Sequence, residues 1–79
     1  MLSLVPTPIG NLKDITLRAL EVLKTADLIL CENPHHSQHL LQVYEIQKPV
    51  RQWNQFSNEK LTTEVLHLLK ADKQVAYIS

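Results

Sequence analysis

Leu4-Val5-Pro6-Thr7-Pro8-Ile9-Gly10-Asn11, residues 4–11, is the stretch whose reading decides the fold. It places the chain's single glycine and two of its four prolines directly behind the first apolar run, residues 2–5. Read as a surface turn, it says little. Read as the exit of a buried strand into a helix, it marks a ligand edge, because open α/β sheets bind ligands outside the carboxyl ends of their strands.

The pattern downstream favours the second reading. Residues 2–5 (LSLV) read as a short strand stopped by Pro6. Leu12, Ile15, Ala19, Val22, Leu23 and Ala26 then recur at helical spacing, with Arg18, Glu21 and Lys24 opposite. Asn11 or Asp14 is the expected cap, and Asp14 also suits the positive end of the helix dipole. Residues 27–32 (DLILCE) form a continuous apolar run, as in a strand covered on both faces. Asn33-Pro34 reads as an N-cap followed by the first helical position, where a missing amide costs nothing. The second helix is expected over 34–45, with Leu40, Leu41 and Tyr44 inward.

Residues 48–52 (KPVRQ) suggest a third strand, kept off the sheet centre by Pro49. Ser57 or Asn58 is the expected cap of a third helix striped by Leu61, Val65, Leu68 and Leu69. Residues 74–79 (QVAYIS) form the fourth strand. Strands alternating with helices imply parallel pairing through right-handed crossovers. The expected fold class is α/β, a three-layer βαβαβαβ unit with a mainly parallel sheet. Its carboxyl edge gathers residues 6–11, 31–34, 53–57 and whatever follows Ser79.

Composition bounds the function. At 79 residues the chain is one small domain or part of one, and a chain of this size has a marginal core. Zero net charge argues against a free-standing nucleic-acid binder, but not against RNA contact within a larger assembly. One cysteine, Cys31, cannot form an internal disulfide, so a reduced, cytoplasmic protein is expected. With one glycine there is no glycine-rich phosphate loop. No run is long enough to span a membrane. A chain ending on a strand tip reads as the N-terminal piece of something larger.

Several residues on the expected edge have chemistry to offer. Glu32, at the tip of the apolar strand, can orient a hydroxyl or a base, or can simply be an exposed acid. His35 and His39 have a metal-ligand spacing. Without a second ligand pair they read as solvated helix histidines, and no metal is expected. Trp53 and Phe56 can stack on unpaired bases, or can pack against core, a missing domain or a second chain. Cys31 reads as a small buried hydrophobe.

Residues 4–33, LVPTPIGNLKDITLRALEVLKTADLILCEN, closely resemble the start of the tetrapyrrole-methylase-like superfamily. They are most similar to the bacterial 16S ribosomal RNA cytidine 2′-O-methyltransferases. The carrying motifs are Thr7-Pro8-Ile9-Gly10-Asn11 and Asp14-Ile15-Thr16-Leu17-Arg18-Ala19-Leu20. The likeness runs more weakly to Ser79. Pro6 stands where the family has a small residue. Glu32-Asn33-Pro34-His35-His36 replaces an E-D-T-R-H run. The segment 53–59 keeps an aromatic residue and the Asn-Glu pair but lacks the family's histidines, and Asp72 replaces a turn glycine.

The resemblance implies the N-terminal domain, residues 1–79, of a bilobal methyltransferase using S-adenosylmethionine. The family's D-A-G-T-P loop and second domain lie beyond this sequence. Pro8, Ile9 and Gly10 are implied beside the methyl donor. Asn11, Glu32, His36 and Trp53 are implied on the substrate side, with Glu32 the catalytic candidate and His36 near substrate phosphate. Ribosomal RNA or the small ribosomal subunit, and a second copy in a homodimer, are the implied partners. A tetrapyrrole methylase and a noncatalytic dimerisation or RNA-docking module stand as alternatives.

Overall fold

The structure, a computed structural model, describes residues 1–8, 12–53 and 59–78. In chain order its elements are β1 (Leu2–Val5), α1 (Leu17–Thr25), β2 (Leu28–Cys31), α2 (Pro34–Val43), β3 (Val50–Gln52), α3 (Glu59–Lys70) and β4 (Val75–Ile78). A 3-10 turn at Leu12–Asp14 precedes α1. The strands form one parallel sheet in the order β1-β4-β2-β3. The expected α/β fold, with its strands alternating with helices, is what forms.

Strand alternation divides the apolar residues into two cores. Val5, Ile29, Cys31, Ala76 and Ile78 face Ala19 and Leu23 of α1 and Leu40 and Leu41 of α2. On the other face Leu28, Leu30 and Val75 meet Val65 of α3, with Leu61, Leu68, Leu69, Trp53 and Tyr77 partly buried around them. Each fully buried Leu, Ile or Val contributes about 1.5–3 kcal/mol. The central strand β2 is buried at all four positions, which is why its sequence carries no polar alternation.

Chain direction explains the third layer. From β1 to β2 to β3 the path moves one way across the sheet, with α1 and α2 on one face. From β3 to β4 it moves back, so a crossover of the same hand puts α3 on the opposite face. α3 leaves part of its face uncovered. On the outer strand β1, Leu2 and Leu4 are 51% and 74% exposed.

The single helix expected from Leu12 is corrected. Thr16 is extended (φ −77°, ψ 155°) and its Oγ1 accepts from the Ala19 amide at 3.0 Å, so Thr16, not Asp14, caps α1. Leu12 and Ile15 keep a helix-like spacing because their turn leans on the same core as α1. Asn33 caps α2 as expected, its Oδ1 accepting from the His36 amide at 3.3 Å. α2 stops at Val43, two residues early, and Glu45 takes a left-handed backbone (φ 57°) to turn the chain. Asp72 does the same after α3 (φ 61°), at the position expected to need it. β3 begins at Val50, and Pro49, which has no N–H to donate, stands just ahead of it, its carbonyl accepting from Ile29 N–H at 2.9 Å. The caps expected at Asn11, Ser57 or Asn58 lie outside the described residues.

Candidate functional site

Parallel pairing brings the carboxyl tips of all four strands to one rim. Adjacent strands β2 and β3 leave that rim toward helices on opposite faces, which makes the gap between their tips a topological switch point. The gap is bridged by one side chain and by the last backbone bond of the ladder. Gln52 Nε2 donates to the Glu32 carbonyl at 3.1 Å, and the Trp53 amide donates to the Cys31 carbonyl at 2.7 Å. The Cys31 thiol is buried and lies 3.9 Å from the Arg51 carbonyl, as a weak donor.

Glu32 is the exposed acid at the centre of this rim. Its Oε1 accepts from the Tyr77 hydroxyl at 3.0 Å, across the β4–β2 ladder. Partial burial, and then the Glu32 carboxylate beside it, hold the Tyr77 phenol above its ordinary value of 10.0. Beside Glu32 a small cavity of about 150 Å³ opens, lined by Thr7, Glu32, Asn33, His36, Ser37 and Ile78. Ser37 is 2% exposed, and among the described residues no buried side-chain polar atom lacks a partner. Asn33, His35, His36 and His39 are exposed. A larger cavity, about 640 Å³, lies between the end of α2 and the start of β3, lined in part by Gln38, Leu41, Gln42 and Lys48. It sits at the amino end of the sheet, away from the rim.

The whole described rim thus comes from four strand tips of one α/β unit, and the sequence that builds it has relatives. The family model described as Tetrapyrrole (Corrin/Porphyrin) Methylases matches residues 1–79. The chain belongs to the tetrapyrrole methylase family. Curated relatives named "Ribosomal RNA small subunit methyltransferase I" include one from Thermotoga maritima, 47% identical over 78 residues, covering 99% of this chain and 35% of the relative. One from Buchnera aphidicola is 44% identical over 79 residues, covering 100% of this chain and 28% of the relative. One from Bacillus subtilis is 39% identical over 79 residues, covering 100% and 27%. The chain spans about a third of the length of these relatives.

Within this member of the family, the rim brings two of the sequence-derived site residues together. Glu32 and His36 line one cavity. Pro8 is half-buried, next in sequence to the cavity residue Thr7. Trp53 stands apart, packed against the core on the α3 face. Ile9, Gly10 and Asn11 lie outside the described residues, as does Phe56. Sequence reasoning missed Thr7, Ser37, Gln52 and Tyr77. Tyr77 becomes a neighbour of Glu32 only because β4 is inserted beside β2, which no local pattern announces.

Among the described residues no group of three or more His, Cys, Asp or Glu could hold a metal ion. No helix among them is long and apolar enough to cross a membrane. The 150 Å³ cavity is below the roughly 300–1,000 Å³ of small-molecule pockets, so these residues by themselves do not enclose a small molecule.

Proposed function

We propose that this chain is the N-terminal part of an S-adenosylmethionine-dependent methyltransferase that modifies a ribose 2′-oxygen of small-subunit ribosomal RNA in the cytoplasm. The observation that carries the reading is identity of 39–47% across nearly the whole chain to proteins named ribosomal RNA small subunit methyltransferase I. The methyl donor, when bound, supplies the electrophilic methyl group. The chain's own task is alignment. Pro6 and Pro8 stiffen the chain as it leaves the β1 tip, and Pro8, Ile9 and Gly10 are the residues assigned to the donor. Glu32 accepts a hydrogen bond from the nucleoside and fixes its orientation, since in-line transfer depends on placement of the attacking oxygen. His36, exposed in the first turn of α2, lies within reach of the substrate backbone. Trp53, partly buried against the core on the α3 face, keeps its exposed part at the rim for a substrate base.

Fusing this chain to the remaining two-thirds of the Thermotoga maritima relative tests the reading. The expected result is transfer of labelled methyl to small-subunit RNA, read as a linkage resistant to alkaline cleavage. Label in a tetrapyrrole instead would move the function to the other branch of the family. No donor binding by the fusion would leave a noncatalytic docking module. By calorimetry the 79-residue chain alone is expected to bind the donor far more weakly than the fusion.

A further inference from the structure

Glu32 is an exposed glutamate, and an exposed glutamate ordinarily samples many rotamers. Two contacts fix the backbone at and beside Glu32, and a third holds its carboxylate. Gln52 holds the Glu32 carbonyl at 3.1 Å. Asn33, the next residue, is fixed as the α2 cap. The Tyr77 hydroxyl donates to Oε1 at 3.0 Å, and Tyr77 itself is anchored by its ring in the core on the α3 face and by its register opposite Leu30. At a solvated rim such a pair adds little to stability. Its effect is to choose one orientation of the carboxylate.

We propose that Tyr77 is a positioning residue for Glu32, filling one carboxylate oxygen so that the other is presented to a hydroxyl or amino donor of a nucleoside resting on the rim at the strand tips. The nucleoside rests on the function proposed above; the positioning does not. Pre-organisation of this kind raises affinity by removing the ordering cost at the moment of binding. It also sets chemical selectivity. An oriented carboxylate accepts from neutral donors and repels phosphate, so Glu32 would read the sugar or base while His36 serves the backbone.

Nuclear magnetic resonance on the 79-residue chain with labelled glutamate separates the two parts. Tyr77→Phe keeps the ring and its packing. It is expected to move the Glu32 Cδ resonance and average its side-chain couplings, leaving the methyl resonances of Leu28 and Val65 in place. Unchanged Glu32 signals would overturn the positioning role. With cytidine as the probe and the fusion described above as the protein, Tyr77→Phe and Glu32→Gln should each weaken binding about fivefold, the equivalent of one ordinary hydrogen bond, and the double variant should lose no more than either alone. Losses that add would overturn the coupling. Release of Glu32 by Tyr77→Phe, with no cytidine binding by the unsubstituted fusion, would uphold the positioning and overturn the nucleoside. If Tyr77→Phe does not fold, Glu32→Gln serves. It should lower the midpoint of phenolate absorbance, and an unmoved midpoint would overturn the proposal.

Discussion

The Tyr44 hydroxyl donates to the Leu12 carbonyl at 2.6 Å, tying the end of α2 to the turn that follows the first proline-rich loop. The two residues are 32 positions apart in sequence. The bond is partly buried, and it gives the Leu12 carbonyl a second, much shorter partner than the Ile15 amide, which donates to it at 3.4 Å within the turn. It therefore anchors the far end of the loop that leaves the β1 tip.

Tyr44→Phe should cost about 1 kcal/mol, the worth of one partly buried hydrogen bond. In a domain this small that corresponds to a melting temperature lowered by about 4–8 °C. Thermal unfolding followed by circular dichroism checks it, and a loss below a few tenths of a kcal/mol would show that the tie is idle.

Capping assigns a different cost to each of two neighbouring residues. Thr16→Ala should destabilise the chain by about 1 kcal/mol, because Thr16 Oγ1 caps α1. Asp14→Ala should change stability by less than about 0.5 kcal/mol, as for an exposed residue outside the helix. Urea unfolding of the two variants side by side decides between them, and the reverse ranking would restore Asp14 as the cap.

Leu23 and Ile29 meet in the core between α1 and the sheet, both fully buried. Leu23→Ala should cost about 2–5 kcal/mol. A chain of this size has a marginal core, so most of the variant should be unfolded at room temperature. Retention of a native circular dichroism spectrum and melting point would contradict the packing described.

Alkaline pH should weaken the fold through Tyr77. Its phenol is raised in the folded state, so the proton is held more tightly folded than unfolded. The resulting stabilisation is present in full below the ordinary phenol value of 10.0 and is lost as pH climbs through the folded-state value. Urea midpoints measured across that window should fall more steeply for the unsubstituted chain than for Tyr77→Phe. Parallel curves would remove Tyr77 as the cause.

What the sequence announced and what it withheld divide along a physical line. The unbroken apolar run at 28–31 could only be a strand buried on both faces, and Asn33-Pro34 could only begin a helix cleanly. Local signals of this kind carry the element order and the parallel fold. The start of α1 was hidden because Leu12 and Ile15 serve the same core from a 3-10 turn. The left-handed turn at Glu45 was hidden because its residue type does not advertise it. At the rim, the place of Glu32 at a strand tip was legible from its position, while His36 was singled out through the resemblance. Tyr77 and Gln52 were not, since their contacts with Glu32 depend on the sheet order.

Leu2 and Leu4 lie on a strand that is outermost among those described, with its far flank unpaired there. A ribbon with free amides along one side and bare leucines on its surface is a template for a like ribbon from another molecule. Concentrated solutions of the 79-residue chain should therefore clump by strand-to-strand stitching. A lysine at position 4 should act as a gatekeeper: light scattering from Leu4→Lys should stay flat at concentrations where the unsubstituted chain turns cloudy.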